Sequence, residues 1–277
     1  VQQVGFTLIE LSIVLVIIGL IVGGVLVGQD LIKAAEVRAT VSQYEHYNSS
    51  LNTFRTKYNG MPGDLPWTSA NAFGLNPAAG ALTTGGDGNG LIESTSTTNY
   101  NIPDKEPILI WQQLSAANIL GSSLGTAITT GGALGASPTT ELYLPAAKLG
   151  RGNYWIAGSS SGLNYYALAG MTSTIAATTY TTTAGGNITP IEAFNIDNKI
   201  DDGLPNTGIV RVKGATTMLA TTDTIFPDNV YGTYGNAAGS AAGCMMTGAS
   251  ASDSANTYSR ATSYGNVPSC TLRMRFN

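Results

Sequence analysis

From Phe6 to Gly28 the chain is apolar at almost every position, and Glu10 is the only ionisable side chain in the run. As a helix this run is about 35 Å long, enough to cross a hydrocarbon core of about 30 Å. After Gly28 the pattern changes. Val37, Val41, Tyr44, Leu51, Phe54 and Tyr58 recur at three- and four-residue steps or multiples of them, while Lys33, Glu36, Arg38, Glu45, Arg55 and Lys57 fall mostly off that face. The periodicity predicts an amphipathic helix that stops at Gly60 and Pro62. Taken together, Phe6 to Asn59 would form one helix of about 80 Å. Its first half has no head to pack on. Its second half offers an apolar stripe to whatever follows.

Residues 60–277 read as short elements between loops. The stretch Tyr58–Pro66 is rich in Gly and Pro and predicts turns. Pro107–Gly121 predicts a helix with Trp111, Leu114 and Asn118 on one face and Gly121 as its stop. Asn153–Gly158 and Asn164–Met171 predict a hairpin turning at Ser159–Gly162. Residues 121–140 read as loop, and the Thr-rich 172–186 as edge strand or glycosylated loop. Thr189-Pro190-Ile191-Glu192 has the make-up of a helix start, with a capping threonine, a first-turn proline and a glutamate placed to close a capping box. That helix would run to about Lys199, and Gly208–Lys213 reads as a strand.

Glu10 needs an explanation. A secretory signal peptide would be shorter and would end in a cleavage site of small residues. A plain anchor fits the length but leaves a carboxylate in the first helical turns, and an acid at mid-membrane costs about 2.5–3.5 kcal/mol. The run Gly5-Phe6-Thr7-Leu8-Ile9-Glu10 followed by an apolar helix resembles the prepilin motif of type IV pilins and type II secretion pseudopilins. The resemblance implies cleavage between Gly5 and Phe6 by a prepilin peptidase, methylation of the new terminus, and pairing of Glu10 with the N-terminal amine of a neighbouring subunit. A buried carboxylate is strongly destabilising alone and tolerable when paired. Residues 1–5 would then be a residual leader. Were Val1 the mature terminus, Glu10 would lie about 7 Å farther from the amine.

Gly19, Gly23, Gly24 and Gly28 interrupt the apolar run. Each costs about 1 kcal/mol in a helix interior relative to alanine, and small residues let membrane helices approach closely. The resemblance implies that Gly19–Gly24 is extended in an assembled filament; the alternative is a continuous helix with small packing residues. The Tyr58–Pro66 run is also similar to one that follows the first helix of large bacterial prepilin-type proteins.

Composition narrows the remaining chemistry. Charged residues make up 11 % of the chain and the net charge is -4; small and uncharged polar residues take their place, as on extracellular proteins. No basic stripe is present, which excludes bulk electrostatic binding to nucleic acid. Cys244 and Cys270 are the only cysteines. An even count beside an apolar anchor fits one disulfide in an oxidising compartment, with a pair of free buried thiols as the alternative, and the position is similar to the C-terminal disulfide region of type IV pilins. His46 is the sole histidine and reads as an exposed helix residue, so histidine-based triads and multi-histidine metal sites are excluded. No nucleotide-binding glycine loop occurs, and no enzyme activity is expected.

Two acidic groups are candidate cation sites. In Gly86–Glu93, Asp87 and Asn89 alternate with glycines and Glu93 follows, so their oxygens can converge on calcium, though Glu93 comes too early for an EF-hand. A glycine–asparagine turn with solvated carboxylates is the alternative. Calcium in the heads of some pilins and pseudopilins adds to the case. Asp197, Asp201 and Asp202 form the second group, to be weighed against a solvated helix end with Lys199 and Arg211 as counter-charges.

The expected fold is α+β, with a long N-terminal helix whose distal half packs on an antiparallel sheet with loops and short helices. Residues 6–28 would be the transmembrane and filament-core segment, 29–59 its amphipathic continuation, and 60–277 the extracellular head. The resemblance implies a homopolymer of identical subunits, held in the bacterial inner membrane before assembly and then part of an extracellular pilus, with an ATPase-driven assembly platform as partner. A pseudopilin, or a membrane-anchored tip adhesin or minor pilin, is the alternative.

Overall fold

The computed structural model describes residues 7–75, 86–93, 106–121, 124, 141, 143–160, 162–170, 187–214, 244–246, 257–260, 265–266, 268 and 270–276. Gly5, Phe6 and the segments 125–140 and 172–186 lie outside them.

Helix α1 (Leu8–Tyr58) is unbroken over 51 residues. Thr7 starts it with a capping box shared with Glu10, and Asn59 ends it in the left-handed region at φ 53°, its N–H donating to the Arg55 carbonyl. Burial begins at Val37 and returns at Thr40, Val41, Tyr44, Tyr47, Ser50, Leu51 and Phe54, the stripe that the periodicity predicts. α2 (Trp67–Ala72) is short. α3 (Glu106–Ala116) differs from expectation. Ile108, Leu109, Ile110, Trp111 and Leu114 are all at most 1 % exposed, so the helix is enclosed and not laid on the head by one face. Asn118 falls beyond its end, exposed and at φ 57°, and does not share the Trp111 face.

β1 (Asn153–Ser160) and β2 (Leu163–Gly170) form the hairpin, with Ser160 opposite Leu163. The turn is therefore two residues long, tighter than the expected four, and Gly162 supplies a positive φ of 76° there. α4 (Pro190–Ile200) starts on the predicted capping box. β3 (Val210–Gly214), the paired β4 (Met245–Met246) and β5 (Thr257–Tyr258), and β6 (Cys270–Phe276) follow. The main sheet has the order β1-β2-β6-β3 and every pairing in it is antiparallel. The last strand in the sequence is thus a central one.

The distal half of α1 packs beside this sheet. Tyr47 lies 5.0 Å from the Trp111 ring, 5.6 Å from Trp155 and 6.0 Å from Tyr166, while Tyr166 stacks on Phe276 at 4.1 Å. Such pairs add about 0.5–1.5 kcal/mol each beyond their buried area. Hydrogen bonds fix the docking. Tyr44 Oη donates to the Arg275 carbonyl at 2.7 Å. Gln43 Nε2 donates to the Ala146 carbonyl at 2.8 Å, and its Oε1 accepts from Lys148 N–H and from Trp155 Nε1. The Cys244–Cys270 disulfide joins residues 26 apart, with Cα atoms 5.1 Å from each other, and ties β6 to the segment before β4. Closing a loop of that size stabilises by roughly 3 kcal/mol on the chain-entropy account.

Trp155 is fully buried and bonded to Gln43, so Trp155→Ala should lower stability by about 3–5 kcal/mol. The check is the urea midpoint of the detergent-solubilised chain. Phe73→Ala, at a residue 51 % exposed, should leave the stability derived from that midpoint within about 1 kcal/mol of wild type.

Candidate functional site

The first candidate is the proximal half of α1. Leu8 to Val27 is exposed at every position, with Leu8 at 86 % and Leu20 at 74 %. Its most apolar 18-residue window has a mean hydropathy of 2.9 and none of it is buried. The helix is long and apolar enough to cross a membrane. Gly19, Gly23 and Gly24 lie within the unbroken helix, and a Cβ added at any of them would meet nothing within 4 Å. The extension expected there concerns the assembled state; in the single chain this stretch is helical. Glu10 turns back on its own helix end. Its Oε2 accepts from Thr7 N–H at 2.8 Å and from Thr7 Oγ1 at 2.7 Å, and Glu10 N–H donates to Thr7 Oγ1 at 3.3 Å. Two donors that a helix N-terminus leaves open are thereby partnered.

The second candidate joins two turn-rich runs of the sequence. The Gly86–Glu93 loop folds against the 61–66 turn. Asp64 Oδ1 accepts from Gly88 N–H at 2.8 Å, and Asp64 Oδ2 accepts from Gly90 N–H at 2.6 Å. Gly86 N–H donates to the Leu65 carbonyl at 3.1 Å. A Cβ on Gly86 would overlap the Asp64 backbone, so only glycine permits this approach. Asn164 on β2 holds the far end of the loop, accepting from Ile92 N–H at 2.9 Å and donating to the Gly90 carbonyl at 2.8 Å. Glu106, at the start of α3, accepts from Glu93 N–H at 2.6 Å.

Carboxylate oxygens of Asp64, Asp87 and Glu106 lie within 4.8 Å of one another. Of the two expected carboxylates, Asp87 belongs to this group and Glu93 does not. Asn89 Nδ2 donates to both Asp87 and Glu93, at 3.0 Å each, and its Oδ1 accepts from Leu91 N–H. The asparagine therefore bridges the two carboxylates with its amide hydrogens. Asp64 and Glu106 were not singled out by sequence, because they lie in separate segments that only the folded chain brings to the loop. Both are buried. Burial pushes Glu106 from 4.5 up to about 8, opposed by the Glu93 N–H bond and reinforced by the neighbouring carboxylates. Burial likewise raises Asp64, against the N–H bonds from Gly90 and Gly88. The only ion pair among the described residues is Arg151–Glu192, so none of these three carboxylates is paired with a base among the described residues. A donor set made of carboxylate oxygens fits a hard divalent cation of the calcium kind.

The carboxylate oxygens of Asp197, Asp201 and Asp202 lie within 4.8 Å of one another, Asp197 buried and Asp202 exposed. Asp197 accepts from Tyr258 Oη at 2.7 Å and from Gly203 N–H at 3.3 Å. Asp201 Oδ2 accepts from Ile209 N–H and Val210 N–H. Asp202 accepts from Leu204 N–H at 2.8 Å and from Thr207 Oγ1. These carboxylates hold the backbone between α4 and β3. Burial raises Asp197 to about 7. His46 lies exposed on α1. Comparison of the chain with family models, with curated proteins and with solved structures gave no match.

Glu106 supplies a pH test. Its folded pKa of about 8 exceeds its unfolded value, so the folded chain holds a proton that the unfolded chain releases. Stability is then full below about pH 4.5 and declines as pH rises through about 8. In chelator, the melting temperature should fall between about pH 5 and pH 9. Glu106→Gln should reduce that fall, leaving the part that Asp64 and Asp197 contribute, since burial raises both. Calcium at the alkaline end should raise the midpoint in wild type and less so in Glu106→Gln; an unchanged midpoint removes the cation from the account.

Proposed function

We propose that the chain is a type IV pilin-like subunit, anchored in a bacterial inner membrane by the proximal half of α1 and polymerised through that half into an extracellular filament. One observation carries the reading: a single unbroken helix is exposed throughout Leu8–Val27, apolar there except at Glu10 and Ser12, and buries one face in the head from Val37 onward. Burying a Leu, Ile or Val side chain is worth about 1.5–3 kcal/mol, so a run of them exposed to water would be far from equilibrium. Lipid meets the requirement before assembly, and the same residues of neighbouring copies meet it afterward. An identical helix from each copy gives a core of uniform composition, with the heads outside.

Glu10 supports a polymer over a plain anchor. The Thr7 cap gives its carboxylate local donors but leaves it uncompensated in charge. A neighbour's N-terminal amine at Phe6 would neutralise it, and pairing two charges withdrawn from water favours one axial register over its alternatives. The prepilin peptidase, which would free that amine, and an assembly platform are the partners this reading requires.

Glu10→Ala and Glu10→Gln are the test, in cells that assemble the filament. Both variants should insert in the membrane and keep the head disulfide, while surface filaments fall at least about tenfold, the scale of a lost buried charge pair. Wild-type filament levels from Glu10→Ala would overturn the assembly role and leave an anchored, non-polymeric protein.

A further inference from the structure

Beyond the apolar span, α1 has one face on the head and another left bare. Arg38, Ser42, Glu45, Ser49, Asn52 and Thr56 are all exposed and succeed one another at alternating steps of four and three. At 3.6 residues per turn this row lies on the far side of the helix from Val37, Tyr44, Leu51 and Phe54. Residues spaced in this way share one edge of a helix, so a neighbouring helix lying along that edge would meet all six. Its hydroxyls are already partnered in part: Thr56 Oγ1 donates to the Asn52 carbonyl at 2.8 Å. Packing a second helix on the row therefore does not strand that group.

Two charges stand in the row. Arg38 and Glu45 have opposite sign and are seven residues apart, about 10 Å along the axis. Neither makes an ion pair among the described residues. Two parallel copies offset by those two turns would set the guanidinium of one level with the carboxylate of the other. The same offset sets Ser42 against Ser49, small side chain on small side chain, which allows close approach of the axes. The contact is heterologous: each copy offers Arg38 to one neighbour and Glu45 to another, and a contact of that type that does not close generates a filament.

We infer that the bare row of α1 is a docking face for a second copy of this chain, with Arg38 of one copy paired to Glu45 of the next at an axial offset of about 10 Å. The inference rests on the polymer reading above, which also makes the copies parallel, since all would be anchored the same way. It adds a register that lies outside the membrane span and does not involve Glu10.

The test uses the full chain in cells that assemble the filament. Arg38→Glu and Glu45→Arg should each cut filament yield about tenfold by placing like charges together, and the double reversal should restore it to within about twofold. Both sites are exposed, so the melting temperature of every variant should match wild type. Co-expressed Arg38→Cys and Glu45→Cys chains should cross-link to each other in the filament. Filaments at wild-type yield from either single reversal, or no recovery in the double, would overturn the pairing while the polymer reading stands. A Ser42→Cys chain that cross-links to itself would mean a contact that is antiparallel or parallel without the offset, and either would also overturn it. No filament from wild type would remove the polymer reading and the pairing with it.

Discussion

The proximal half of α1 has no partner within its own chain, and the rest of the molecule is arranged around that requirement. A run of Leu, Ile and Val exposed from Leu8 to Val27 cannot be stable in water. The remedy has to come from lipid or from other molecules. Because the segment is one helix with the head-bound half, whatever covers it also fixes where the head goes.

That coupling depends on how firmly the distal half is docked. Aromatic rings of α1, α3, β1 and β2 meet around Tyr47, and Gln43 hydrogen-bonds at both ends of its amide to the segment that leads into β1 and to β1 itself. The Tyr44 hydroxyl reaches the backbone of β6, which the disulfide in turn joins to the segment before β4. The distal half of α1 is therefore joined directly to the central strands β2 and β6. The acidic junction at Asp64, Asp87 and Glu106 sits just past the end of α1 and is opposite in character: oxygen-rich, buried at Asp64 and Glu106, and without an ion pair among the described residues.

Helical periodicity was legible because it depends only on neighbours in sequence. Val37, Val41, Tyr44, Leu51 and Phe54 gave the buried stripe, and Thr189, Pro190 and Glu192 gave a capping box that exists as drawn, with Glu192 also bonded to Arg151. The alternation of Leu272, Met274 and Phe276 with Arg273 and Arg275 is a local signal of the same kind and marks the central strand β6, which the expected elements do not include. Other features had no local signal. The enclosure of α3 on all sides depends on what surrounds it, and Asp64 and Glu106 join Asp87 only through tertiary contacts. Asn89 has the right chemistry for a ligand, yet its amide hydrogens face the carboxylates, a choice set by the folded loop. The aspartates after α4 were visible as a cluster, while their use as backbone acceptors was not.

The central claim is that the apolar half of α1 is covered by other copies of itself. A map by electron cryo-microscopy of filaments sheared from cells expressing this chain tests it most directly. The account predicts residues 8–27 in the filament interior, packed on the same residues of neighbouring copies and out of contact with solvent, with the heads forming the outer shell. A filament with those residues at its surface, or one held together by the heads alone, would contradict it.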